Sequence, residues 1–189
     1  FYNSDGSMSG ACGNGTRCVA YFLSKEKEKN NILLKTGSGI LNSKITNREN
    51  VEIERGKAKF YWKEIPLTKE LDTKNLNIKI LDKLNRELIG GIAINIGNPH
   101  LIFFLENIDS YDLAKIGPKL EKHEYFPERC NITFAKIINK KTIQVKVWER
   151  GAGLTKACGT AACATAVAAQ KSGLSDRHVN IKFSQGYLS

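Results

Sequence analysis

The chain has 189 residues, of which 41% are hydrophobic, and it carries a formal net charge of +10. Its length and composition are those of a globular protein with one domain or two small ones. The basic residues are mostly lysines scattered among acidic and amide side chains, and they form no continuous basic stripe. No stretch is long and apolar enough to span a membrane. We therefore expect neither nucleic acid nor a membrane as a partner.

The cysteines are better suited to chemistry than to cross-linking. There are five, an odd number, so a complete disulfide framework is not expected. No two of them have the Cys-x2-Cys spacing of a zinc site, and the three histidines show no ligand spacing, so we expect no metal. Cys130 is predicted to lie in the core or in a loop.

The first part of the chain is predicted to fold as a helix followed by strands. The helix begins at about Gly13 and ends in the charged run 25–29, whose lysines suit a helix C-terminus. Three strand-like segments follow, at 32–35, at 40–45 after a turn at 37–39, and at 51–54. Gly56 is a plausible boundary, which divides the chain into a first domain of residues 1–56 and a second of residues 57–189.

The second part is predicted to be rich in strands. Ser110 is a candidate cap for a short helix that runs through Lys115 and is broken or redirected near Gly117-Pro118. Many short strands with one long buried helix in each half indicate the α+β class. The segments predicted as strands are 58–62, 76–81, 88–96, 101–105, 131–138, 142–148 and 179–183.

The stretch from Trp148 to Gly173 contains the most informative helix. Its alanine-rich second half is apolar nearly all round, which predicts a buried helix, and Gly173 is suited to end it. Cys158 stands at or just before the first turn, where free N–H groups and the helix dipole stabilise an anion. This position predicts a lowered thiol pKa. The alternative interpretation is a buried structural cysteine.

The same arrangement occurs earlier in the chain. Ala11-Cys12-Gly13 matches Ala157-Cys158-Gly159, and each is followed by a second cysteine, Cys18 or Cys163. The repeat indicates two related halves, each with a cysteine at a helix start. Two weak acids of the same kind suit the removal of a proton from one face of a carbon and its return to the other. That chemistry is two-base racemisation or epimerisation.

These motifs closely resemble the diaminopimelate epimerase family, in the family's order and over essentially the whole chain. The blocks are Asn3-Ser-Asp-Gly-Ser, Cys12-Gly-Asn-Gly-x-Arg-Cys18, Gly97-Asn-Pro-His100, Phe126-Pro-Glu-Arg-x-Asn131, Trp148-Glu-Arg-Gly-Ala-Gly153 and Ala157-Cys-Gly-Thr160. The resemblance implies two pseudo-symmetric domains, each a curled, mainly antiparallel sheet around a central helix, with the active site in the cleft between them. It also implies family segments upstream of Phe1 and downstream of Ser189.

The resemblance implies epimerisation of LL-diaminopimelate to meso-diaminopimelate without a cofactor, in lysine and peptidoglycan precursor biosynthesis. The expected partner is this small-molecule substrate, the expected location is the cytoplasm, and a homodimer stays open. By resemblance, Cys12 and Cys158 are the thiol pair, assisted by His100 and Glu149. The positions that match substrate-binding residues are Asn3, Gly13, Asn14, Asn98, Asn131, Glu149, Arg150, Gly159 and Thr160.

Three positions differ from the residues that are commonest in the family. Leu154 stands where Glu is frequent, Lys156 where an uncharged residue is usual, and Ala161 where Gly is usual. They remove no proposed catalytic group but leave substrate preference open. A second interpretation is a proline racemase-like or phenazine-biosynthesis-like isomerase. A third is a non-catalytic fragment that acts as a thiol-bearing or basic binding module.

Overall fold

The computed structural model describes residues 13–36, 39–54, 56–82 and 84–189. The chain divides into two compact units, Phe1–Lys57 and Ala58–Ser189. Each unit has hydrophobic clusters of its own.

The first unit consists of one helix and a three-stranded antiparallel sheet. Helix α1 (Gly13–Lys27) is followed by β1 (Asn31–Thr36), β2 (Gly39–Ile45) and β3 (Val51–Ile53), paired in the order β1-β2-β3. Alternating apolar positions of the strands meet the helix in a core formed by Ala20, Ile32, Leu34, Leu41 and Ile45. The predicted helix and three strands are confirmed. Most of the predicted turn at 37–39 lies outside the described residues.

The second unit is built on a seven-stranded mixed sheet. The strand order is β12-β11-β9-β8-β7-β6, with β10 paired to β9, and β4 and β5 form a separate hairpin. The β7–β8 and β9–β11 pairs are parallel and the others are antiparallel. The elements are β4 (Ile78–Leu81), β5 (Glu87–Gly90), β6 (Ile92–Asn95), β7 (Pro99–Phe104), α2 (Leu113–Glu121), β8 (Asn131–Asn139), β9 (Thr142–Glu149), β10 (Gly153–Thr155), α3 (Gly159–Lys171), β11 (Asn180–Phe183) and β12 (Gly186–Leu188).

The side chains of each strand alternate between the two faces of this sheet, so both faces carry apolar residues. One helix covers each face. On the α3 face, α3 packs against a cluster that includes Ile102, Ala135, Ile143, Val145 and Val147. On the α2 face, α2 packs against a cluster that includes Leu101, Phe103, Ile132 and Phe134, with Trp148 beside it. The α+β class is confirmed, and so is the prediction that α3 is a buried helix.

Two strand predictions are wrong in the same neighbourhood. The segment 58–62 makes only a single bridge, between Lys59 and Asn95. It then enters a turn in which the Tyr61 carbonyl accepts backbone hydrogen bonds from Glu64 and Ile65. The segment 88–96 is two strands, because Gly90 and Gly91 both have positive φ and break the ladder. Apolar and aromatic residues suggested continuous strands there, but the backbone bonds are directed into turns.

The helix α2 begins later and ends later than predicted. Its N-cap is Asp112, whose carboxylate accepts a hydrogen bond from the Ala114 N–H at 3.1 Å. The helix continues through Gly117 and Pro118 to Glu121, which contradicts the predicted break. Packing explains the difference: a Cβ at Gly117 would lie 2.7 Å from the Trp148 ring, so this turn is pressed against the sheet. Tertiary contact outweighs the one helical hydrogen bond that proline removes.

Candidate active site

Three predicted site residues lie side by side at the ends of neighbouring strands. His100 on β7 pairs with Asn131 on β8. The next residue of β8, Ile132, pairs with Trp148 on β9, so Asn131 lies beside Glu149. Strand alternation directs all three side chains to the α3 face, since they are in phase with the residues packed beneath α3. The parallel β7–β8 pair and the antiparallel β8–β9 pair thus gather an imidazole, an amide and a carboxylate.

Cys158 is the N-cap of α3, and its side chain lies beside that of Glu149. Its backbone is extended, with φ −140° and ψ 115°, and its Sγ lies 3.4 Å from the Thr160 Oγ1. Gly159 and Thr160 form the first turn of the helix, so their N–H groups are available at the helix start. The side chain is 6% exposed. The predicted helix-start position of this cysteine is confirmed.

The prediction of a lowered thiol pKa at this position is wrong. Burial raises the pKa of Cys158 to about 11, and the negative charge of Glu149 contributes to that rise. The Thr160 hydroxyl and the Ala161 N–H act in the opposite direction but do not compensate. Desolvation by the packed core beneath α3 therefore outweighs the helix N-terminus. At neutral pH Cys158 is a thiol, held next to a carboxylate that can accept its hydrogen bond.

Asn131 joins the ends of all three strands. It is 3% exposed, its Nδ2 donates to the Pro99 carbonyl at 3.0 Å, and its Oδ1 accepts from the Arg150 N–H at 3.0 Å. An amide side chain can make two hydrogen bonds at each end. These two contacts attach the residues before His100 and after Glu149 to one central side chain.

His100 and Asn98 form a second polar contact. The His100 ring is fully buried, and its Nε2 lies 3.0 Å from the Asn98 Oδ1. Because this oxygen only accepts, the contact assigns the proton to Nε2. The turn that brings the two together passes through Gly97, with φ +94°. The Gly97 N–H donates to the Asn95 side chain at 2.7 Å.

Arg150 lies in the turn between β9 and β10. Its guanidinium Nη1 donates to the Glu128 carbonyl at 2.9 Å, and the Ala152 N–H closes the turn by donating to the Glu149 carbonyl at 3.0 Å. Gly151 and Gly153 have positive φ, which keeps the turn tight. The structure therefore brings Glu149 and Arg150 to the same site as Asn131 and Cys158.

Sequence reasoning missed one buried carboxylate beside this turn. Glu121, the last residue of α2, accepts hydrogen bonds from the Trp148 indole and from the Gly151 N–H. A signal was present in the sequence, because an acidic residue at the C-terminal end of a helix opposes the helix dipole. An acidic residue at that position needs hydrogen-bond donors from outside its own helix.

The remaining predicted positions belong to the first unit. Gly13 is the first residue of α1, and the exposed Asn14 accepts a hydrogen bond from Arg17 at 2.6 Å. Asn3 and Cys12 lie outside the described residues. Of the other cysteines, Cys18 is exposed and Cys163 is half-buried, and Cys130, predicted to lie in the core or in a loop, is buried.

Among the residues that the structure describes, no group of three or more His, Cys, Asp or Glu side chains is placed to hold a metal ion. Within the same ranges, no helix is both long and apolar enough to cross a membrane.

Solved structures of other proteins share the fold of this chain. A hydroxyproline epimerase from Agrobacterium vitis matches 97% of this chain and 58% of its own, with a TM-score of 0.65 and 12% sequence identity. A Bacillus anthracis phenazine biosynthesis protein of the PhzF family matches 98% of this chain and 68% of its own, with a TM-score of 0.59 and 16% identity. The chain has the fold shared by these proteins, and it carries an internal repeat.

Sequence comparison identifies the particular family. The family model described as diaminopimelate epimerase matches residues 1–61 and 92–189. A diaminopimelate epimerase from Pelagibacter ubique is 61% identical over 189 residues, and one from Methylorubrum extorquens is 45% identical over 196 residues. Both matches include all of this chain, which spans 69% and 66% of the two relatives. The chain belongs to the diaminopimelate epimerase family, whose members are isomerases.

Proposed function

We propose that this protein epimerises LL-diaminopimelate to meso-diaminopimelate without a cofactor, with Cys12 and Cys158 as a two-base pair. Family membership and the helix-start position of Cys158 support this reaction. The observation that carries the proposal is the placement of the Cys158 thiol next to the Glu149 carboxylate. We further propose a cytoplasmic role in lysine and peptidoglycan precursor synthesis.

The reaction requires strong stabilisation of a carbanion. The Cα–H of an amino acid is a far weaker acid than a thiol of pKa about 8.5. Preorganised N–H donors at a helix start can stabilise the charge that develops on the α-carboxylate. Gly159 and Thr160 would supply these donors from α3, and Gly13 and Asn14 would supply the corresponding donors from α1. Asn3, Asn98, Asn131 and Arg150 would orient the substrate.

The protonation state of Cys158 suggests its role in one direction. Because its pKa is about 11, Cys158 starts as a thiol and donates its proton to Cα. The Cys12 thiolate takes the Cα proton from the opposite face, so one S–H bond forms as the other breaks. The reverse reaction starts from the state that this transfer leaves, with Cys158 as the thiolate and Cys12 as the thiol, and the Glu149 carboxylate would accept a hydrogen bond from Cys158 whenever that thiol is protonated. His100 would be a second polar group near the substrate that assists the thiols.

The division into residues 1–56 and 57–189 fits a two-base reaction. In this proposal each domain contributes one thiol and one helix start. Each epimer would thus present its Cα proton to the thiol of one domain. We propose this organisation from the repeated Ala-Cys-Gly motif and from the family's two-domain pattern.

Solvent deuterium tests the proposed function. The full-length protein is incubated in deuterated water with LL-diaminopimelate, meso-diaminopimelate or trans-4-hydroxy-L-proline, and Cα labelling is followed by mass spectrometry. We expect label in both diaminopimelate epimers and none in hydroxyproline. The Cys163→Ala variant, altered further along the same helix, is the control and should label normally. Labelling of hydroxyproline alone would support the racemase-like alternative and refute the proposal.

A further inference from the structure

Glu121 is a buried carboxylate whose hydrogen bonds reach into the candidate site. It is 5% exposed, its Oε2 accepts from the Trp148 Nε1 at 2.7 Å, and its Oε1 accepts from the Gly151 N–H at 3.2 Å. One guanidinium nitrogen of Arg129 lies 3.7 Å from the same Oε1. Both carboxylate oxygens are therefore engaged with other segments of the chain.

The two donors stand on either side of the residues proposed to act on the substrate. Trp148 immediately precedes Glu149, and Gly151 immediately follows Arg150. One carboxylate thus holds both ends of this dipeptide from the α2 side. Asn131 holds its middle, by accepting from the Arg150 N–H at 3.0 Å. Movement of the turn away from the strand ends would break these three hydrogen bonds.

Burial makes this carboxylate costly unless its contacts are made. Removing a charged group from water is unfavourable, and a neutral apolar side chain in its place would leave the Trp148 and Gly151 donors unpaired. The charge also stands at the C-terminal end of α2, where the helix dipole disfavours it. The location is therefore poorly explained by the stability of α2 alone and is well explained by the turn that it holds.

We propose that Glu121 is a positioning residue that fixes the Glu149-Arg150 turn against the ends of β8 and β9. The inference rests on the proposed function, because it assigns Glu121 the task of aligning two groups that act on diaminopimelate. Glu121 does not touch the substrate; it acts through Trp148 and Gly151. Small displacements of aligned groups are costly in catalysis, and about 1 Å is enough to cost on the order of 100-fold.

The test compares Glu121→Gln with a matched control, Asp82→Asn, in the full-length protein. Asp82 accepts hydrogen bonds from the Leu84 N–H at 2.8 Å and the Arg86 N–H at 2.9 Å, and pairs with the Arg86 guanidinium. Its side chain is 7% exposed and that of Glu121 is 6% exposed. The control therefore removes a comparable charge with comparable contacts, at the turn of the separate β4–β5 hairpin.

Two readouts separate positioning from a general loss of structure. The first is kcat and KM for LL-diaminopimelate, and the second is amide hydrogen exchange of the peptide 148–153. For Glu121→Gln we expect kcat/KM to fall about 10- to 100-fold, with faster exchange confined to that peptide. For Asp82→Asn we expect unchanged kcat/KM and unchanged exchange of the peptide. Glu121→Asp, which keeps the charge on a shorter side chain, should recover part of the loss.

Other outcomes would overturn the inference. If Glu121→Gln keeps wild-type kcat/KM while the wild type is active, Glu121 does not position the turn and the proposed function stands. If both variants lose activity in parallel with their stability, the role of Glu121 is structural only. If the wild-type protein neither turns over nor deuterates diaminopimelate, the proposed function fails, and the inference built on it falls with it.

Discussion

The described part of α1 begins at Gly13 of the first Ala-Cys-Gly motif and α3 begins at Gly159 of the second, but the two helices pack in different surroundings. In α1, buried positions fall on one side, at Thr16, Ala20 and Ser24, and Phe22 is 68% exposed. In α3, seven of the thirteen residues are buried, and all seven are alanines or threonines. The shared motif therefore does not determine the packing behind each helix, and at α3 the packed layer decides how the Cys158 thiol is solvated. The pKa of the Cys158 thiol follows from that burial.

The largest expected effect comes from removing the thiol at the start of α3. In a two-base reaction each thiol serves one face of Cα, so Cys158→Ala should lower net epimerisation at least about 1,000-fold, a barrier increase of about 4 kcal/mol. The remaining thiolate should still exchange the α-proton of one epimer with solvent. Deuterium uptake measured separately from LL- and meso-diaminopimelate checks this. Cys12→Ala should show the opposite epimer preference, and near-normal turnover of Cys158→Ala would make that cysteine structural.

A second prediction concerns the pH dependence of the Cys158 thiol. The folded-state pKa of about 11 lies above the ordinary value of 9.0, so the native protein holds this proton more tightly than the unfolded chain. The resulting stability is complete below about pH 9 and is lost as the pH rises towards 11, which urea unfolding across this pH range measures. Alkylation of Cys158 by iodoacetamide should likewise accelerate up to about pH 11.

Replacing Glu149 tests the electrostatic part of that pKa. In Glu149→Gln the negative charge is removed, so the pKa of Cys158 should fall and alkylation should accelerate at a lower pH. Peptide mass spectrometry can follow Cys158 separately from the exposed Cys18, which serves as an internal control. An alkylation profile of Cys158 with the same midpoint in the variant and the wild type would contradict the assigned contribution of Glu149.

The smallest expected effect compares the packing of the two helices. Ala164 in α3 is fully buried, so Ala164→Val should destabilise the fold by about 1–3 kcal/mol through overpacking. Phe22→Ala in α1 should change the free energy of unfolding by no more than about 0.5 kcal/mol, since Phe22 is 68% exposed. Urea unfolding of both variants measures the difference. Equal losses would show that the two helices are packed alike.

Much of the secondary structure was predictable because local patterns and tertiary packing agree. The alternation in β1 and β9, the largely buried β8 and the alanine-rich α3 are examples, each placed within one or two residues. The failures lie where distant contacts override local preference. Pro118 continues inside α2 because that helix packs on Trp148, and the positive φ of Gly90 and Gly91 divides a predicted strand in two.

The sequence alone determined the family, the α+β class and the cysteine that begins α3, because these depend on motif order and on local periodicity. Only the tertiary structure decided how the described part of the site is held together. Glu121 and Gly151 are thirty positions apart in the chain and meet because α2 packs across the end of β9. The thiol pKa of Cys158 was also decided there: a helix start lowers it, burial raises it, and the packed layer beneath α3 made burial the larger effect.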